Sequence, residues 1–142
     1  MKYEKSCGVI PFCFIGNEVK VVLIKQNNGI IGFPKGHVEE NESEEETALR
    51  ECQEETNLTA SLVEGFREEI SYYIQEYDVE KTVVFFVGFV KDLSLKRQES
   101  EISDVMLLSV KDALNAISYE DTKNLLNKAY KHFLDRSVYN IS

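Results

Sequence analysis

A chain of 142 residues, 43% of them hydrophobic, holds enough apolar side chains for one core and too few residues for two, so a single domain over 1–142 is expected. Its formal net charge of -9 at pH 7 argues against general nucleic-acid binding, which needs clustered Lys and Arg. No window has the length of an apolar membrane span, and the opening MKYEKSCGVIPF lacks the apolar stretch of a signal peptide, so a soluble cytoplasmic protein is expected.

Residues 3–15 and 18–26 are rich in Val, Ile and Phe and flank Gly16-Asn17, a turn dipeptide, which predicts a hairpin. The next stretch, NNGIIGFPKGH, carries Gly29, Gly32, Pro34 and Gly36 in a short space and reads as a shaped loop without regular structure. A helix is predicted over 44–56. Ser43 supplies the N-cap and Glu46, three residues on, completes a capping box, while Glu44 and Glu45 suit the positive end of the helix dipole. Strands are predicted over 59–74, 81–91 and 104–110. A last helix is predicted over 119–136, where Leu125, Leu126, Ala129, Tyr130, Phe133 and Leu134 form one apolar stripe. Strands before, between and after two helices, without βαβ alternation, imply an α+β fold (α/β in looser usage): a mixed sheet with helices packed on its faces. Cys7, Cys13 and Cys52 have no metal-ligand spacing and apolar neighbours, and read as small buried thiols.

Acidic residues are unevenly spread: nine of the 25 lie between Glu39 and Glu55, where Arg50 is the only basic residue. Glu44, Glu45 and Glu46 read as a solvated first turn. At about 100° per residue, Glu51, Glu54 and Glu55 fall within one arc of roughly 100°, beside the arc of Ala48, Leu49, Cys52 and Thr56. Two carboxylates about 5.5 Å apart repel by roughly 3 kcal/mol at an effective dielectric near 20, so a cation is expected among the three. Hard divalent ions prefer such oxygen ligands, and Mg2+ takes one or two carboxylates together with substrate phosphates. Arg50 lies four residues from both Glu46 and Glu54, can pair with either, and is expected to orient Glu side chains more than to touch a substrate.

Written out, Gly36-x5-Glu42-x7-Arg50-Glu51-Cys52-x-Glu54-Glu55-x-Asn57-Leu58 resembles the Nudix signature. One position departs, Asn57 for the final glycine, and Asn is the next best residue for a left-handed helix end. The resemblance implies a mixed sheet between helices with a loop-helix-loop metal site. It implies Mg2+, with Mn2+ as a possible substitute, bound at Gly36, Glu51, Glu54, Glu55 and Glu101. Catalysis by Glu51, Glu54, Glu55 and Glu101 is implied with it, and Glu42 is expected to brace the loop.

CGVIPF, FPKGHVEENESEEETALRECQEET, EGFREEISY, KTVVFF and Glu101 extend the likeness to one branch, the asymmetrical diadenosine tetraphosphate hydrolases, which form ATP and AMP. That branch implies Lys35, His37 and Lys81 at the phosphate chain and Tyr72 and Tyr119 around an adenine. Each has a plainer alternative: surface lysines for Lys35 and Lys81, a backbone hydrogen bond for His37, core packing for Tyr72, a helix-start staple for Tyr119. Glu101 stands either as metal ligand or as the base that orients water, and is flanked by Ser100 and Ile102 where the branch often has histidines. Phe85-Phe86 stands where Tyr and Trp are common, which loses a polar handle. The expected partner is a nucleoside polyphosphate substrate, with no membrane, and the chain is expected to be a monomer. The rivals are another Nudix substrate (a nucleoside triphosphate, an oxidised nucleotide or a 5'-triphosphorylated RNA end) and a non-catalytic nucleotide-binding module.

Overall fold

Gly16, at φ 61, turns the chain from β1 (Lys2–Ile15) into β2 (Glu18–Gln26), the hairpin the sequence predicts. A computed structural model describes the backbone of residues 1–93 and 102–141 and the side chains of 1–93 and 104–136. Glu101 lies outside the described residues. The two hairpin strands are paired only from Phe12↔Val21 to Ile15↔Glu18. Beyond that point they part, and the gap is filled from residues 27–37. There β3 (Ile31–Gly32) pairs with Ile24 and Lys25 of β2, and β4 (Lys35–His37) pairs with Ser6, Cys7 and Gly8 of β1. The expectation of a loop without regular structure is corrected here. Strands of two and three residues are too short to show alternation, and their hydrogen bonds come from chain far away in sequence.

On its other edge β1 runs parallel to β7 (Val79–Val90), from Lys2↔Val79 to Phe12↔Phe89. The single strand predicted over 59–74 is two, β5 (Ala60–Leu62) and β6 (Glu68–Ile74), both antiparallel to β7 on its far edge. Gly65, at φ 91, lets the chain leave the sheet between them. After β8 (Ile102–Ser109), antiparallel to β2, comes a helix that the periodicity does not predict, α2 (Val110–Ala116). Seven residues make under two turns, too few for a stripe, although the Ser109 hydroxyl accepts from Asp112 N–H at 3.1 Å as a cap. The last helix, α3 (Glu120–Ile141), continues past the predicted end at 136.

The result is the expected α+β fold, an eight-stranded mixed sheet between helices. Alternation along the strands splits the core into two layers. Ile10, Phe12, Val21, Leu23, Val83 and Val87 pack with Leu126, Ala129 and Phe133 of α3 on one face. Cys7, Val9, Cys13, Val22, Val84 and Val90 pack on the other against Ala48 and Cys52 of α1 (Glu44–Thr56). Phe12 and Phe133 stack at 4.8 Å, and burying such a side chain contributes about 1.5–3 kcal/mol. All three cysteines are buried and free of disulfides, as expected. Among the described residues no helix is long and apolar enough to cross a membrane.

Candidate active site

Local sequence fixes both ends of α1. Ser43 O–H accepts from Glu46 N–H at 3.1 Å and Glu46 Oε1 accepts from Ser43 N–H at 3.0 Å, the predicted capping box. At the other end Asn57 adopts φ 65, and its N–H donates to the Gln53 carbonyl at 2.9 Å, so asparagine fills the left-handed position. With Thr47, Ala48 and Cys52 buried against the sheet, the Glu51, Glu54 and Glu55 edge of the helix meets β4 across the gap between β1 and β2. Glu44 is more than a solvated residue: both of its oxygens accept from Arg67, at 2.8 Å each, and it pairs with Lys5. Those cations hold its carboxyl down at about 2.

Each of the three edge carboxylates has a defined setting. Glu55, only 8% exposed, accepts from the Lys35 backbone N–H at 2.8 Å. Glu51 packs its carboxylate onto the Gly36 backbone, and a Cβ at position 36 would overlap it, so any larger residue there would displace the Glu51 carboxylate; glycine serves space here and not an unusual φ. Arg50 Nη1 donates to Glu51 at 2.7 Å and to Glu54 at 3.1 Å, so part of the cation expected among the carboxylates is the protein's own guanidinium. Glu46, the other pairing option for Arg50, is occupied by the capping box. The principal partner of Arg50 is Glu42, through Nε at 2.6 Å and Nη2 at 3.0 Å. Glu42 also accepts from Glu39 N–H and Thr47 O–H, and Arg50 Nη2 reaches the His37 carbonyl. The brace expected of Glu42 is therefore formed. Arg50 beside it holds its carboxyl down at about 2, and the same partners raise Arg50 above the usual arginine value.

These groups open onto a cleft of about 930 Å³ that also receives Lys35, His37, Lys81, Tyr72 and Tyr119. Burial pushes the Lys35 ammonium down and the nearby Lys81 adds to the effect, with Glu55 and Glu51 opposing it. Lys35 is thus no ordinary surface lysine. Tyr72 and Tyr119 are 42% and 54% exposed, which sets aside core packing for Tyr72. Burial of part of its ring, together with Tyr119, Asp121 and Glu4, raises the Tyr72 phenol. Tyr119 is held by the link between helices: Ile31 N–H donates to Ser118 Oγ at 2.9 Å and Ser118 N–H to the Ile31 carbonyl at 3.2 Å. His37 places Nε2 3.6 Å from Glu4, at the rim, and its imidazole makes no backbone hydrogen bond among the described residues.

Ile31, Phe33, Ile70, Ser6 and Asp121 also line the cleft and were not singled out from sequence, and Phe85, noted there only for its missing polar handle, lines it too. Ser6 carried a signal, a polar residue two before Gly8 and four before Ile10 on a face that is otherwise core. Phe85 meets Phe33 edge-on at 5.8 Å, so the polar handle missing at this position is replaced by an apolar wall.

No three His, Cys, Asp or Glu side chains among the described residues converge as a ready-made metal cage. Glu51, Glu54 and Glu55 nonetheless form an all-oxygen set in one cleft with two ammonium groups. That chemistry fits a hard divalent ion held by few carboxylates and by the phosphates of a ligand.

Residues 8–132 match the NUDIX domain. The bis(5'-nucleosyl)-tetraphosphatase [asymmetrical] of Sus scrofa is 32% identical, over 89% of this chain and 93% of its own. A binary complex of the C. elegans Ap4A hydrolase shares the fold, with a TM-score of 0.82 at 22% identity, covering 93% of this chain and 98% of that one. The NUDIX domain of Shewanella oneidensis NrtR, solved with ADP ribose, shares it at a TM-score of 0.76 and 20% identity, over 94% and 90%.

Proposed function

This chain belongs to the NUDIX domain family, and on that premise we propose that it is a Mg2+-dependent hydrolase that cuts diadenosine tetraphosphate into ATP and AMP. The observation that carries the reading is one cleft holding three kinds of group: the Glu51, Glu54 and Glu55 edge, the Lys35 and Lys81 ammonium groups, and the exposed Tyr72 and Tyr119 rings. The relatives named as asymmetrical tetraphosphatases support the substrate.

Glu51, Glu54 and Glu55, with Gly36 and Glu101, are the positions that would hold the ion. When bound, Mg2+, or Mn2+ in its place, neutralises phosphate charge and lowers the pKa of the attacking water. Lys35 and Lys81 hold non-bridging oxygens of the polyphosphate chain as point charges, with His37 at the rim. Tyr72 and Tyr119 stack on an adenine, each such contact being worth about 1–3 kcal/mol with tolerance of base identity. The oxygen of water bonds to the terminal phosphorus beside one adenosine, and the bond from that phosphorus to the next bridging oxygen breaks. ATP departs, AMP keeps the new oxygen, and a carboxylate of the Glu51, Glu54, Glu55 and Glu101 set takes the proton. Arg50 acts through others, as the positioning residue that ties Glu51 and Glu54 to Glu42 and to the His37 carbonyl.

Diadenosine tetraphosphate, ATP, oxidised dGTP, ADP-ribose and 5'-triphosphorylated RNA, compared at one Mg2+ concentration in 18O-labelled water, test the reading. The tetraphosphate is expected to turn over fastest, with label in AMP and none in ATP. Equal or faster turnover of another substrate overturns the assignment, and no turnover of any of them overturns the enzyme.

A further inference from the structure

Ser6 stands in the middle of the cleft floor. It pairs with His37 on one side and Val83 on the other; two positions along, Gly8 pairs with Lys35, and two positions back, Glu4 pairs with Lys81. Residues directly opposite one another and residues two apart share a face of the sheet, so Ser6, His37, Lys35 and Lys81 project to the same side. The two lysines are its diagonal neighbours on the flanking strands. A serine therefore sits among Lys35, Lys81 and His37, with the Glu4 carboxylate on the same face beside His37.

Its hydroxyl is in an unusual position. Ser6 is 1% exposed, yet among the described residues its side chain makes no hydrogen bond. No sealed side-chain polar atom there lacks a partner. The Ser6 hydroxyl therefore keeps an opening, and that opening is the cleft it lines. Nearly buried hydroxyls without a partner are rare because losing water is costly, and on the same face the strand continues with Gly8, Ile10 and Phe12. Packing alone asks for alanine at this position.

Resting on the polyphosphate reading above, we propose that Ser6 is a further substrate-binding residue, whose hydroxyl donates to a non-bridging phosphate oxygen held between Lys35 and Lys81. A hydroxyl suits the place because it brings a donor without charge. A third ammonium would be repelled by both Lys35 and Lys81. The bond from a hydroxyl to an anionic oxygen is also short and charge-assisted.

Calorimetric titration of wild type and Ser6→Ala with inorganic tripolyphosphate and Mg2+, alongside thermal melts of the two free proteins, tests this. Ser6→Ala is expected to raise the tripolyphosphate Kd about tenfold and to melt at the wild-type temperature or above, since it deletes an unsatisfied group. An unchanged Kd in the variant, with wild type binding normally, overturns the role of Ser6 alone. So does a raised Kd accompanied by a lower melting temperature, which marks a structural hydroxyl. Failure of wild type to bind tripolyphosphate overturns the polyphosphate reading, and Ser6 with it.

Discussion

The two walls of the cleft are built on opposite plans. On the α1 wall the polar groups are bonded to one another: Glu42 to Arg50, Thr47 and Glu39 N–H, Arg50 onward to Glu51, Glu54 and the His37 carbonyl, and Glu55 to Lys35 N–H. On the floor and the facing wall the hydroxyls of Ser6, Tyr72 and Tyr119 make no hydrogen bond among the described residues, and both tyrosine rings stand exposed. One wall is held in place before a ligand arrives. The other keeps groups that no protein partner occupies among the described residues. On the proposed function, chemistry falls to the first because reacting groups must be positioned in advance, and recognition to the second because unmet donors and open rings are where a ligand finds partners.

Substitutions on the two walls should therefore separate kcat from KM. The largest effect is expected from Glu55→Gln, which keeps an acceptor for Lys35 N–H while removing the charge. Turnover of the preferred substrate should fall about 10^3-fold with an unchanged circular dichroism spectrum, and a variant retaining a tenth of wild-type kcat breaks the division. Tyr72→Ala comes next. Its loss should appear as a KM for diadenosine tetraphosphate about tenfold higher with kcat nearly unchanged, one stacking contact being worth about 1–3 kcal/mol; a fall in kcat alone would assign Tyr72 to the chemical wall. The smallest effect is in acid. Glu42 and Glu44 have folded values of about 2 against an ordinary 4.5, so the stability they supply is complete above the ordinary value and is lost as pH falls through the folded value. Melting temperature should decline between about pH 4.5 and 2, and Glu42→Gln should flatten part of that decline.

How much of this was visible in the chain follows where each hydrogen bond closes. Both ends of α1 are written locally, Ser43 with Glu46 and Asn57 with Gln53, so the helix and its carboxylate edge emerge from spacing alone. The Gly16-Asn17 hairpin does so too. Arg50 shows the limit of such reasoning: spacing offers Glu46 and Glu54, but the chain folds back to bring Glu42 within reach and the cap occupies Glu46. The division of 59–74 at Gly65, the strands inside 27–37 and the short α2 were missed because their partners are remote or their length is too small for a period to register.

Sequence by itself determined the class of fold, the acidic helix edge and its caps, because those depend on side-chain periodicity and on bonds that close within about four residues. Tertiary structure alone decided that β4 should fill the gap between β1 and β2, lay the Gly36 backbone under Glu51, and bring Ser6 and Lys81 to the same floor as Lys35. Those juxtapositions rest on pairing between strands far apart in the chain, such as Ser6 with His37 and Glu4 with Lys81, and no local pattern encodes which distant strand a residue will meet.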